Sequence, residues 1–173
     1  MATIPPMSNE TRLKLVDPEF AHVQAGHLYE QTRAWLQTVL PTADVRHIGA
    51  TAIPGCLTKG DLDIVIRVSP ESFAQAETVL SSRFARNQGS VRTADFAAFV
   101  DTATDPPLGI QLTAINGPFD FFHAFVDALC ASPHLVREYN ALKSAYEGHA
   151  MAVYRAAKDA FIDRVLADRR LPR

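Results

Sequence analysis

The segment best suited to chemistry runs from Gly49 to Asp63: Gly49-Ala50-Thr51, a loop to Gly60, then Asp61-Leu62-Asp63. Asp61 to Val68 (DLDIVIRV) reads as a strand, β-branched and alternating at its start. Residues two apart on a strand face the same side, about 6–7 Å apart. Asp61 and Asp63 therefore project together, while Leu62, Ile64 and Ile66 point to a core. Two carboxylates on one face repel unless water solvates them or a cation lies between them. Mg2+ (or Mn2+) suits the pair, because such ions prefer oxygen ligands and complete their shells with waters and substrate phosphates. A lone Asp-x-Asp is more often a solvated strand edge. Here Gly49 before a turn lets the backbone approach a phosphate, Thr51 offers a hydroxyl and Lys59 a charge two residues before Asp61.

Other side chains admit plainer readings. His47 reads as a satisfied structural histidine, and Arg46 and Arg67 as solvated strand residues. The Phe119, Phe121, Phe122 and Phe125 cluster reads as core. Cys56, with no adjacent His or helix N-terminus, is not assigned as a nucleophile. Lys143 and Lys158 each follow a tyrosine by four residues, Tyr139 and Tyr154, hence on one helix face. Surface lysines over aromatic packing would show the same spacing.

The elements that must position these groups are legible in outline. Asp17-Pro18-Glu19 opens a helix, with Asp as N-cap and Pro at the first helical position, and Pro41 closes it. Residues 44–50 read as a strand, 51–60 as a loop and 69–83 as a helix. Strands follow near 95–101 and 108–115, and 85–92 is an ambiguous edge. From Pro118 the pattern is helical: 118–130, 133–146 and about 151–169. Strands in the middle and helices at both ends predict an α+β fold with a mixed sheet and a C-terminal helical tail. Residues 1–12 are read as a flexible leader and 13–170 as a single domain.

The run His47-Ile48-Gly49-Ala50-Thr51-Ala52-Ile53-Pro54-Gly55, with Lys59 shortly before the Asp strand, resembles the GrpB family of the polymerase-beta-like nucleotidyltransferase superfamily. Tyr139/Lys143, Tyr154/Lys158, Phe161 and Ile162 are similar to the family's C-terminal spacings. The likeness spans roughly residues 14–167. It implies a nucleotidyltransferase-like fold and metal-dependent transfer of a nucleotidyl group from a nucleoside triphosphate to a small-molecule acceptor. It also implies site residues: Asp61 and Asp63 for magnesium, and Gly49, Ala50, Thr51, Lys59, Lys143 and Lys158 for phosphates. Two departures matter. Ala50 stands where the superfamily usually has Ser. Gln111 stands on the strand that commonly supplies a third carboxylate, leaving Asp95 or Asp101 as substitutes. The alternative reading is a nucleotide- or phosphate-binding module that does not catalyse.

Composition bounds the rest. The 173 residues carry 17 Lys plus Arg against 19 Asp plus Glu, a formal net charge of −2, which argues against a uniformly basic nucleic-acid coat. Hydrophobic residues at 47% and charged residues at 21% suit a globular domain rather than a disordered chain. No apolar run approaches the roughly 18 residues of a membrane span, and the opening residues lack a signal-peptide pattern. Cys56 and Cys130 fit neither a disulfide framework nor a metal cluster. A cytoplasmic location is the expectation.

Overall fold

A computed structural model describes residues 11–170. Helix α1 spans Pro18–Val39, and the Asp17 side chain accepts a hydrogen bond from the Phe20 amide, as its N-cap position predicts. Strand β1 (Asp44–Ile48) leads through Gly49 into a single 3-10 turn, Ala50–Ala52. Strand β2 is Leu62–Val68 and α2 is Phe73–Ser81. The short edge strand β3 (Ala85–Arg86), β4 (Phe96–Asp101) and β5 (Leu108–Ala114) complete the sheet. Helices α3 (Phe122–Cys130), α4 (Pro133–Tyr146) and α5 (Met151–Arg170) follow.

The sheet has the order β1-β2-β5-β4-β3. β2 and β5 run parallel, and the other neighbours are antiparallel. The mixed α+β architecture expected from the sequence is therefore what the chain adopts. Strand alternation splits the sheet into two faces. Leu62, Ile64 and Ile66 join Ile110, Leu112 and Phe99 in a core closed by α1 and α2. The opposite face carries Asp63, Val65 and Arg67 on β2 and, in register, Gly109, Gln111 and Thr113 on β5. Helices α3, α4 and α5 cover it through Val65, Phe125, Leu129, Tyr139, Phe161 and Val165. The helical tail thus folds back over the face that bears Asp63.

Several boundaries differ from the sequence reading. Asp61 lies just before β2, not within it. Gly117–Phe121 forms turns stabilised by Asp120, which accepts from the Asn116 amide, so α3 starts four residues later than Pro118 suggests. Of the leader, residues 1–10 lie outside the described residues, but Thr11 and Arg12 are not free. The Met151 amide donates to the Thr11 carbonyl, and the Arg12 guanidinium donates to the Gly148 carbonyl at 2.7 Å. Val16 pairs with Thr58. The segment from 11 to 16 is therefore stitched between the α4–α5 junction and the loop before β2. Arg67 is not solvated either: its guanidinium donates to Asp120 at 2.6 Å and Asp44 at 2.7 Å.

Candidate active site

Gly49 is the residue that brings backbone and carboxylate together. Its φ of 73° and ψ of −175° belong to a region essentially closed to residues with a Cβ. A Cβ built there would lie 2.8 Å from Asp63 Oδ2. Across β2 the same crowding recurs, since a Cβ on Gly109 would lie 2.6 Å from Asp63 Oδ1. The Asp63 carboxylate is wedged between two glycines, and no described residue gives it a hydrogen bond or close ion pair. Burial, then the charge of Asp61, pushes its pKa above the ordinary carboxylate value; Lys59, Lys158 and Lys143 pull the other way. Asp61 is more open, and the Lys59 ammonium donates to its carboxylate at 2.6 Å.

Both aspartates line a cavity of about 110 Å³ with Gly49, Ala50, Lys59, Lys143 and Lys158. The structure thus gathers seven of the eight sequence-assigned site residues around one space. Lys143 and Lys158 reach it although 80 or more residues separate them from Asp63 in the chain. Lys143 is only 3% exposed. Its ammonium donates to the Leu57 carbonyl at 2.6 Å and lies 4.2 Å from the Tyr139 ring centroid. Burial lowers its pKa to about 8, against the opposing influence of the Cys56 thiol. Lys158 is half-buried and likewise lowered by burial, with Asp63 acting in the opposite sense.

Thr51 is the exception. Its hydroxyl does not face the cavity. It donates to the Asp61 carbonyl at 3.1 Å and contacts His47 Nε2 at 2.9 Å, and the residue is buried. Thr51 therefore ties the 3-10 turn to the start of β2 and positions Asp61 rather than offering a phosphate ligand. His47 pairs with Ile64 on the other face of the sheet and stacks on Tyr29 at 5.1 Å, a structural histidine as expected.

Neither substitute for the third carboxylate reaches the site. Asp101 pairs with Leu108, placing it on the Leu62 face, and its carboxylate accepts from the Ala103 amide. Asp95 lies beyond the far end of β4, where its carbonyl accepts from the Ala114 amide. Gln111 does share the Asp63 face and lines a neighbouring cavity. Among the described residues no group of three or more His, Cys, Asp or Glu is placed to hold a metal. Two carboxylates do fit Mg2+, which is often held by one or two carboxylates and otherwise by water and phosphate oxygens. The unpartnered, wedged carboxylate of Asp63 is the observation in favour of such a cation.

Several contributors were missed by sequence reasoning. Arg155 joins Arg12, Lys14, Lys59 and Asp61 around a cleft of about 440 Å³. Its signal was available: it lies three residues before Lys158 on one helix. Gly109, inside a strand, signals a close approach. Phe121, Phe122 and Phe125, read as core, also line a second cavity beside Asp63.

Comparison with known proteins places this arrangement. The family described as GrpB protein matches residues 13–168. The chain belongs to the GrpB family. A UPF0157 protein of Vibrio cholerae serotype O1 is 34% identical over 141 residues, covering 81% of this chain and 74% of that one. The crystal structure of GrpB from Enterococcus faecalis has a TM-score of 0.64 at 17% identity, over 90% of this chain and 94% of that chain. A Cid1 poly(U) polymerase bound to MgATP has a TM-score of 0.51 at 11% identity. That match covers 74% of this GrpB chain and 42% of the polymerase, and it shows a shared nucleotidyltransferase-like fold. No helix among the described residues is long and apolar enough to cross a membrane.

Proposed function

We propose that this GrpB protein transfers a nucleotidyl group from a nucleoside triphosphate to a small-molecule acceptor, with Mg2+ (or Mn2+) held by Asp61 and Asp63. The observation that carries this reading is the Asp63 carboxylate. It is wedged between Gly49 and Gly109, without a protein partner among the described residues, and faces a cavity walled by Lys59, Lys143 and Lys158. Half-buried and facing this cavity, the carboxylate is open to a cation, which would offset the repulsion of Asp61 and favour its ionised form. The nucleotide-bound polymerase that shares the fold supports the choice of ligand.

When bound, the cation supplies charge neutralisation and polarisation of the phosphoryl group under attack. The remaining work falls to the chain. Gly49, by lacking a Cβ, leaves room for the Asp63 carboxylate at the cavity wall. Lys158, between the two cavities, adds positive charge beside Asp63. Lys59 holds Asp61 in place and adds charge at the mouth. Arg155, with Arg12 and Lys14, extends the cationic wall outward to receive the rest of a polyphosphate. Positioning and electrostatic stabilisation are the main catalytic contributions in phosphoryl chemistry.

The direct test is transfer of label from α-labelled ATP with release of pyrophosphate. Wild type with Mg2+ should show both, and Asp63→Asn neither. A second reading, binding without transfer, is favoured by one observation: Gly109 opposes Asp63 and Gln111, paired with Val65, is the next side chain on that face, so no carboxylate of β5 stands beside Asp63, and Asp95 and Asp101 are remote. Tight Mg2+-dependent binding of ATP with no pyrophosphate release, whatever the acceptor, would select it.

A further inference from the structure

A second cavity, about 150 Å³, meets the phosphate-side cavity at Asp63 and Lys158. The two differ in chemistry. The first is walled by cations. The second is walled by Phe121, Phe122, Phe125 and Ile162, with Gln111, Lys158 and the Tyr139 hydroxyl as polar groups in its lining. Closed apolar cavities of roughly this volume take one benzene molecule, and here the aromatic side of the space is apolar while Asp63, Gln111 and Lys158 make the other side polar. The space therefore suits one ring or a similarly compact apolar group.

We infer that this second cavity is the acceptor site and that the acceptor is a small carboxylic acid with an aromatic or compact apolar body. The inference rests on the nucleotidyl-transfer reading. Its decisive feature is what the lining supplies. A hydroxyl acceptor must give up a proton, and among the described residues lining this cavity no imidazole and no carboxylate other than the cation-assigned Asp63 can take it, while burial holds the Tyr139 phenol protonated. A carboxylic acid is already ionised at neutral pH, with an ordinary pKa of about 4, and needs no base. The Lys158 ammonium and the Gln111 amide are the donors such a carboxylate requires. The ring would then sit against Phe122 and Phe125, with the carboxylate directed to the junction of the two cavities.

The step balances without a proton. A carboxylate oxygen attacks the α-phosphorus, and an O–P bond forms. The bond from the α-phosphorus to the α–β bridging oxygen breaks, and its electron pair leaves with pyrophosphate. The product is an acyl-nucleotide mixed anhydride.

The test uses phenylacetate and its uncharged counterpart 2-phenylethanol, titrated into the full chain by calorimetry and followed by NMR. Phenylacetate should bind at least tenfold more tightly than 2-phenylethanol and should elicit pyrophosphate release from Mg-ATP. Ile162→Trp, which fills the cavity, should weaken phenylacetate at least tenfold. Should that variant not fold, the wild-type NMR signals of Phe122 and Ile162 still report: they should move on titration. Equal binding of the two probes, no binding of phenylacetate, unchanged affinity in a folded Ile162→Trp, or shifts confined to residues outside this cavity would each overturn the inference. Adenosine competing with phenylacetate would overturn it too, since the cavity would then hold the base. Mg-ATP binding measured in the same samples separates the two claims. If ATP binds and phenylacetate does not, only the acceptor assignment fails. If ATP does not bind, the function reading fails.

Discussion

Adding one methyl group at each of three glycines tests how the site is built. Gly26 lies inside α1 with nothing within 4 Å of an added Cβ. Gly26→Ala should therefore raise stability by about 0.5–1 kcal/mol, the usual helix-interior gain. Gly109→Ala introduces a contact of 2.6 Å to Asp63 Oδ1 without a left-handed backbone. Overpacking of this kind costs about 1–3 kcal/mol. Gly49→Ala adds both a 2.8 Å contact to Asp63 Oδ2 and a φ of 73°. Strain of about 1–3 kcal/mol joins the overpacking, for a total of about 2–6 kcal/mol. A domain of this size loses roughly 2–4 °C of Tm per kcal/mol. Gly109→Ala should thus melt about 2–12 °C below wild type, and Gly49→Ala lower still. The Asp63→Ala background isolates the cause. There Gly109→Ala should cost almost nothing, a coupling of about 0.5–3 kcal/mol. Gly49→Ala should keep its backbone penalty. Thermal melts of the four single and two double variants decide the matter. A Gly109→Ala protein that melts with wild type, or costs the same with and without Asp63, would refute the wedge.

Acid should act through His47, whose pKa burial and the neighbouring His22 charge lower to about 4. Between pH 6.5 and 4 the unfolded chain binds a proton there that the folded chain does not, so stability falls as pH falls through that window; urea midpoints at pH 7 and 5 should differ less in His47→Gln than in wild type. Alkali should act oppositely through Lys143, held by burial at about 8. From pH 8 towards its ordinary value the unfolded chain holds the extra proton, so this group's contribution to stability rises with pH, and a Lys143→Met protein should lack that rise in chemical melts. Lys158→Met keeps the apolar stem and removes a charged phosphate contact of about 1.5–3 kcal/mol, so triphosphate affinity by calorimetry should fall roughly 10- to 150-fold.

The sequence points to the candidate residues more readily than to their geometry. Alternation along β2 placed Asp63 opposite Leu62 and Ile64, because one face had to be apolar. Helices α1 and α4 start where local signals put them, at Pro18 and Pro133 behind the caps Asp17 and Ser132, whereas Pro118 lies in the turns before α3. Non-local facts were not legible. Thr51 carries a hydroxyl in a phosphate-like context, but its orientation is set by His47 and the Asp61 carbonyl, ten residues away. Asp101 is close to β5 in sequence, yet strand register turns it to the far face, and register depends on the Asp105–Pro107 turn and the pairing it permits. Arg67 reads as a solvated strand residue until Asp120, 53 residues on, is folded against it. The N-terminal segment gave no periodic signal, since it is held by backbone bonds to Thr58 and His149 rather than by an amphipathic face.

The central claim is that Asp61 and Asp63 hold a cation that holds a nucleoside triphosphate. Calorimetric titration of ATP into wild type and into the Asp61→Asn/Asp63→Asn variant, with Mg2+ and with EDTA, measures this directly. Wild type should bind ATP with an affinity that falls at least tenfold on removing Mg2+, and the folded double variant should bind it weakly and equally in both conditions. Binding of ATP to the double variant with an undiminished Mg2+ dependence would contradict the account.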